Sequence, residues 1–323
     1  MNAPITYDDV TAARDRIAPF IGPSPLRHYP TLDARFSGVT LLVKHENVQP
    51  TGSFKVRNGL ATMTALDDAE RAAGVVGATT GNHGLRLAYA GRQLRVPVTI
   101  CVPMGNNPEK NAALRAWGAT VIEQGRDYDE AVAVAQDYVT REGMTLAHST
   151  NNRNVLAGAG TMTLEIVDQA AQLDTLVIAI GGGSQAVGAI TVARERHPTL
   201  RIIGVQAAGA SAAHDGWHAR EPRSTDRATT FAEGVATRST YALTFPTLLD
   251  GLADFITVTD AEIAEAVRLI LPTTHHLVEG AGAMGIAAVT KLAPSLAGQR
   301  VGVVFCGGNM DSAVLRRILN HEL

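Results

Sequence analysis

Short runs of apolar, β-favouring residues alternate along this chain with longer stretches of helical period. Residues 40–46 (TLLVKHE), 74–80 (GVVGATT), 96–103 (VPVTICVP), 175–183 (TLVIAIGGG), 201–207 (RIIGVQA) and 300–308 (RVGVVFCGG) read as strands. They lack polar alternation, as strands covered on both faces do. Helix-like sequence follows most of them; residues 108–118 (PEKNAALRAWG) have proline near the start and glycine at the end. The alternation predicts an α/β protein of mainly parallel sheets flanked by helices. Residues 207–252 break the rhythm with the polar, turn-rich HDGWHAREPRSTDRATT, which reads as a surface excursion that helps cover a site. No repeat or low-complexity segment is apparent.

At 323 residues the chain has material for one large domain or two. Its 28 Lys and Arg against 31 Asp and Glu give a net charge of −3. Nothing in that balance would hold a nucleic acid or an anionic membrane by bulk electrostatics. Cys101 and Cys306 both lie in or at the end of apolar runs, a pattern of reduced thiols, and MNAPITYDDVTAARDR lacks the basic and apolar regions of a secretory signal. The expected location is the cytoplasm. No apolar run approaches the ~18 residues of a membrane span.

In parallel sheets, ligands bind where strand ends enter helices, and four segments qualify. GGGSQAVG (181–188) follows a strand with three glycines, a serine and a helix start, aiming backbone N–H groups and a helix's positive end at one spot. A phosphate fits there better than a plain tight turn does. The Gly-Lys-Ser/Thr ending of a triphosphate loop is missing, so a monophosphate is favoured. TTGNHG (79–84) also opens a helix and reads either as a carboxylate site or as an ordinary capped turn. CGGNMD (306–311) repeats the plan with a thiol that by type could equally be a small buried hydrophobe. In ENVQPTGSFKVRNG (46–59), Lys55 sits between Phe54 and Val56. It is either a desolvated, nucleophilic amine or a lysine snorkelling from an amphipathic helix.

Other signals carry less. GAGAMG (280–285) matches GxGxxG, but no clear strand precedes it. His214 with His218, and His275 with His276, have no cysteine or carboxylate set at ligand spacing and read as loop or capping histidines. GxSxG is missing.

A lysine in an apolar setting, a monophosphate cradle, a carboxylate-sized anion site and a strand-end thiol together suggest pyridoxal phosphate held as a Schiff base. In their order, ENVQPTGSFKVRNG, TTGNHG, NVLAGAGT (154–161), GGGSQAVG, VEGAGA (278–283) and CGGNMD resemble the fold-type II (tryptophan synthase β-like) pyridoxal phosphate enzymes. Within them the resemblance is to the threonine/serine dehydratase and serine racemase group, over nearly the whole chain. It implies that Lys55 carries the cofactor, Phe54 packs on its ring, and Asn82 bonds the ring oxygen. It also implies that Gly181, Gly182, Gly183, Ser184 and Gln185 hold the phosphate, Cys306 faces the ring nitrogen, and Glu279 lies nearby. The substrate carboxylate is then expected at Ser53, Thr79, Thr80, Asn82 and His83.

The same resemblance implies residues 53–147 as a small mobile domain, residues 1–52 and 148–323 as a large cofactor-binding domain, and a homodimer or higher homo-oligomer. The implied activity is dehydration of a β-hydroxy-α-amino acid such as threonine, serine or phenylserine to a 2-oxo acid and ammonia. Val56 stands where cysteine and threonine synthases usually carry aspartate, which favours elimination over β-replacement. Thr80 corresponds to the racemases' second-face proton donor and is bulkier than serine, which disfavours racemisation. A silent amino-acid- or cofactor-binding protein is disfavoured by the presence of both Lys55 and the glycine cradle. The group's frequent magnesium or calcium site begins with a glutamate; here that position is Gln206, with Ala212 further on, so no metal is expected.

Overall fold

The computed structural model describes residues 3–79, 81–148 and 150–323. Thr80 therefore lies outside the described residues.

The described strands form two sheets. The larger is ordered β1 (Leu26–His28), β2 (Thr40–His45), β10 (Arg300–Phe305), β7 (Thr175–Ala179), β8 (Arg201–Ala207) and β9 (Asp254–Val258). Every pairing in it is parallel except β1 with β2. The smaller is wholly parallel, ordered β5 (Thr120–Glu123), β4 (Val98–Val102), β3 (Val75–Ala78) and β6 (Thr145–Leu146). All six predicted strands are present, each at or just inside its predicted bounds, and helices pack between and around them.

Residues 207–252 are more ordered than their composition suggests. They include the helices Ala212–Ala219 and Phe245–Gly251, with Phe245 and Leu248 buried beneath a polar surface. His214 and His218 are corrected with them: they lie one turn apart on the first of these helices, ring centroids 4.4 Å apart, and not in a loop.

Sheet order positions the site. β2, β10 and β7 are neighbours, and all three run parallel, so their C-terminal ends lie side by side. β2 leads through residues 46–54 to Lys55, β10 leads directly to Cys306, and β7 leads through Ile180 to Gly181. Three segments distant in sequence are thereby brought together.

The helix Lys55–Met63 is held at backbone distance on two sides. A Cβ on Gly59 would come 2.5 Å from the Arg86 carbonyl oxygen, and one on Gly158 would come 2.7 Å from that of Arg57. Adding a methyl at either contact would force the helices apart, at a cost of roughly 1–3 kcal/mol.

Candidate active site

Backbone bonds join the segment before Lys55 to the end of β10. Phe54 N–H donates to the Cys306 carbonyl at 2.9 Å, Ser53 bridges Gly307, and Gly308 N–H donates to the Gly52 carbonyl at 2.9 Å. Gly52 has φ +68°, and a Cβ there would strike the Asn309 side chain, so the turn before Lys55 requires glycine. Asn309 Nδ2 in turn donates to the Thr51 carbonyl at 2.8 Å. Lys55 thus starts its helix pinned against the thiol-bearing segment.

Below Lys55 its helix is anchored by charge. Arg57 is buried between Glu46 and Glu165, with Nε and Nη2 donating to Glu46 at 2.8 Å each and Nη1 to Glu165 at 2.6 Å. Lys44 adds a bond to Glu165 at 2.6 Å, and Ser24 Oγ donates to Glu46 at 2.5 Å. The sequence displays Arg57 beside Lys55 but gives no sign that its partners come from 11 residues before and 108 after.

Glu279 closes the other side. Its backbone N–H donates to the Gly307 carbonyl at 2.9 Å, and Asn82 Nδ2 donates to both its carboxylate oxygens at 3.0 Å. Asn309 Nδ2 donates to Asn82 Oδ1 at 2.6 Å, which fixes the amide's orientation. Burial lowers the pKa of Lys55 and raises that of Glu279, while their mutual attraction opposes both shifts. Burial in the pocket thus disfavours the ammonium form of Lys55 relative to a lysine in water.

The Cys306 thiol is buried, and burial, reinforced by the Glu279 charge, pushes its pKa up to about 12. It is a neutral thiol at ordinary pH. The Gln185 side chain is near enough to oppose that rise. Gln185 is the second residue of the helix Ser184–Arg196, which the three glycines open, so thiol and cradle adjoin. Gly183 has φ +91°, and a Cβ on Gly182 would sit 2.5 Å from Thr150 Oγ1. Thr244 Oγ1 donates to the Gly182 carbonyl at 2.8 Å, bracing the turn.

Lys55 and Glu279 face a cavity of about 300 Å³ whose lining also includes Thr79, Asn82, His83 and Phe231; Cys306 and the 181–185 turn are not in that lining. Phe231, Glu233 and Gly234 come from the 207–252 excursion, which covers this site. Lys110 and Glu233, also lining residues, form an ion pair at 2.7 Å, and Asn107 Nδ2 donates to Asp311 at 2.7 Å. Of these four only Asp311 lies in a segment the sequence singles out; an ion pair between positions 123 residues apart leaves no local signal.

At the start of the helix Asn82–Leu94, Thr79 Oγ1 accepts from Gly81 N–H at 2.9 Å. Both His83 ring nitrogens are engaged, Nδ1 by Arg86 and Nε2 by the Ala147 carbonyl, so His83 has its backbone N–H to offer a carboxylate. Ser53 is buried with its hydroxyl unpaired.

Residues 17–307 match the family described as pyridoxal-phosphate dependent enzyme. The chain is 35% identical over 309 residues to an L-threo-3-hydroxyaspartate ammonia-lyase of a Pseudomonas species, covering 95% of this chain and 96% of that one. It is 33% identical over 320 residues to an L-threonine ammonia-lyase of Geobacter sulfurreducens, covering 99% of this chain and 79% of that one. Among solved structures it resembles a threonine deaminase of T.th. with a TM-score of 0.90 and 32% identity, covering 95% of this chain and 99% of that one. It resembles maize serine racemase with a TM-score of 0.92 and 27% identity, covering 99% and 98%.

The site's own residues fit that cofactor. Ser53 Oγ and Thr237 Oγ1 are buried with no hydrogen-bond partner, and such hydroxyls, which can donate, normally have one. Thr237 lies beside Gly181, whose added Cβ would be 3.7 Å from its methyl, so one of the two borders the cradle. A phosphate there, an aldehyde at Lys55 and a ring nitrogen at a neutral thiol would match the donor set in kind.

Proposed function

Because the chain belongs to the pyridoxal-phosphate dependent enzyme family, we propose that it is a lyase that converts a β-hydroxy-α-amino acid to a 2-oxo acid and ammonia. When bound, pyridoxal phosphate supplies the electron sink for charge left at Cα and, through its phosphate, a proton for the departing hydroxyl.

The residues divide the remaining work. Lys55 would hold the cofactor and, once displaced by substrate, take the Cα proton at Nζ, a role for which its lowered pKa suits it. Gly181, Gly182, Gly183, Ser184 and Gln185 would hold the phosphate, with Phe54 against the ring. The substrate carboxylate would lie at Ser53 and the 79–83 loop. Asn82, tied to Glu279 and Asn309, would reach the ring oxygen from a fixed position. Residues 53–147 would act as the small domain, with Lys110–Glu233 and Asn107–Asp311 joining it to the rest across the cleft and limiting water entry.

The observation that carries elimination is Cys306. A thiol whose pKa is about 12 offers the ring nitrogen a neutral partner, and unlike a carboxylate it does not hold a proton there. Charge developing at Cα is then better discharged by expelling a β-hydroxyl than stored. The two ammonia-lyase relatives support the same reading.

Purified protein loaded with cofactor should be incubated with L-threonine, L-serine, L-threo-3-hydroxyaspartate and phenylserine while ammonia and 2-oxo acid are measured. Stoichiometric release from at least one is expected. Inversion at Cα without ammonia from every substrate would replace this reading with racemisation.

A further inference from the structure

Arg86 lies three residues after His83 on the helix Asn82–Leu94, so the two share a face. Its guanidinium is buried, a rare placement for a permanent cation. Nε–H donates to His83 Nδ1 at 2.9 Å, and Nη2 donates to the His148 carbonyl at 3.1 Å. A guanidinium has donors only, so His83 Nδ1 must be the acceptor. The other ring nitrogen, Nε2, lies 3.0 Å from the Ala147 carbonyl, which can only accept, so Nε2 must carry the proton. His83 is thereby restricted to one neutral tautomer.

These three bonds connect two parts of the site. Thr79, Gly81 and Asn82 follow β3 and open the Asn82 helix, whereas Ala147 and His148 follow β6 and lead to Thr150, which backs Gly182 of the cradle. We propose that Arg86 is a positioning residue for substrate binding: by fixing the His83 tautomer and gripping the 147–148 backbone, it sets the carboxylate-receiving loop at a constant distance from the glycine cradle. The identity of the anion rests on the ammonia-lyase reading; the tautomer does not.

Electrostatics agrees with the geometry. Burial is the largest influence holding His83 well below the usual imidazole range, followed by the charges of Arg86 on its own helix, Lys55 from the neighbouring helix and, more weakly, His148; the bond to Ala147 opposes them. Arg86 also disfavours the ammonium form of Lys55. A buried cation next to a helix's positive end makes this loop favourable for a carboxylate.

The test uses the cofactor-loaded enzyme labelled with ¹⁵N-histidine, the His83 signals being assigned by their loss in His83→Asn. In the native protein His83 should show the Nε2–H tautomer and no titration between about pH 5.5 and 8.5, a window that spans the unperturbed imidazole value. This measurement needs no Arg86 variant; an Nδ1–H tautomer, or titration near the ordinary value, would overturn the proposal. In Arg86→Met, loss of the donor to Nδ1 should shift the His83 Nδ1 signal while burial still holds the ring neutral, malonate affinity should fall about tenfold, and KM should rise to match, with kcat changed less than about threefold. Arg86→Lys, which cannot span both acceptors, should fall between the two. Loss of kcat with malonate affinity and KM unchanged would also overturn it. If malonate binds and Arg86→Met weakens it, but no β-hydroxy amino acid is consumed, the ammonia-lyase reading fails while the positioning role stands.

Discussion

The backbone N–H of Phe54 donates to the carbonyl of Cys306 at 2.9 Å, so the amine at Lys55 and the thiol at the end of β10 are held by one bond between segments 252 positions apart (306 − 54). The Lys55 segment and the buried, neutral Cys306 thiol are therefore fixed relative to each other before any ligand arrives. Such preorganisation is worth more than the bond itself.

Lys55→Ala should abolish turnover, with a fall on the order of 10⁴-fold, since both the covalent tether and the Cα base are lost. Borohydride treatment followed by peptide mapping should find cofactor fixed on Lys55 in the native protein and nowhere in the variant. Cofactor fixed on another lysine would show that the assignment is wrong.

Arg57→Met should destabilise the fold by roughly 3–5 kcal/mol, because it strands the buried carboxylate of Glu46 and leaves the half-buried Glu165 with Lys44 alone. Burial acts to raise the Glu46 pKa, but the charge and hydrogen bonds of Arg57 outweigh it and hold the group below its ordinary value of 4.5. A depressed carboxylate stabilises the fold above its unfolded pKa and loses that contribution as pH falls through the folded one. Native stability should accordingly drop below about pH 4.5, more steeply than in Glu46→Gln, in denaturant titrations across pH.

Much of this arrangement is legible in the sequence and some cannot be. β8 is legible to the residue because both its faces are covered and, after Arg201, only Gln206 interrupts its apolar run. β5 has the pattern exposed, half-buried, half-buried, exposed at a sheet edge, and β6 spans two residues; neither makes a run long enough to see. The strand-end motifs are visible because glycine and proline leave local marks. The Arg57 network, the Lys110–Glu233 pair and the Arg86–His83 bond are not, since each needs a partner's position and not only its type. His83 shows the limit: the motif names it, yet only the structure reveals that its ring is already engaged.

Gln206 stands where the group's usual cation site would begin, and its Oε1 accepts the backbone N–H of His214 at 2.9 Å, tying β8 to the helix Ala212–Ala219. EDTA should leave activity within about twofold of the untreated value, whereas Gln206→Ala should cost roughly 1–3 kcal/mol by leaving that buried N–H unpaired. Strong loss in EDTA restored by magnesium would refute this.

Lys110 and Glu233 face each other at the cavity, with side chains 21% and 65% exposed. A pair that open is worth at most about 1 kcal/mol and is screened by salt. Glu233→Gln should reduce kcat/KM by about two- to fivefold and remove part of its salt dependence, with no change in thermal midpoint beyond ~1 °C. An unchanged salt profile would mean the pair does not assist closure.

The thiol of Cys306 provides the sharpest test of the chemistry. With its pKa at about 12, it is neutral throughout the working range. Cys306→Ser keeps a neutral donor and acceptor and should retain elimination within about tenfold. Cys306→Asp places an ionisable carboxylate where Lys55 would favour its charged form and Glu279 oppose it. When charged, it would hold a proton on the ring nitrogen, deepen the sink, slow loss of the β-hydroxyl and open transamination as a side reaction. Both variants must first be shown to fold and to bind cofactor, since the site is buried. With one substrate, the measured quantity is the ratio of 2-oxo acid released to cofactor converted to its pyridoxamine form. That ratio should be similar in native and serine enzymes and at least about tenfold lower in the aspartate variant, the size of a roughly 1.4 kcal/mol change in relative barriers. Equal ratios in all three would mean that Cys306 packs in the core and does not address the ring.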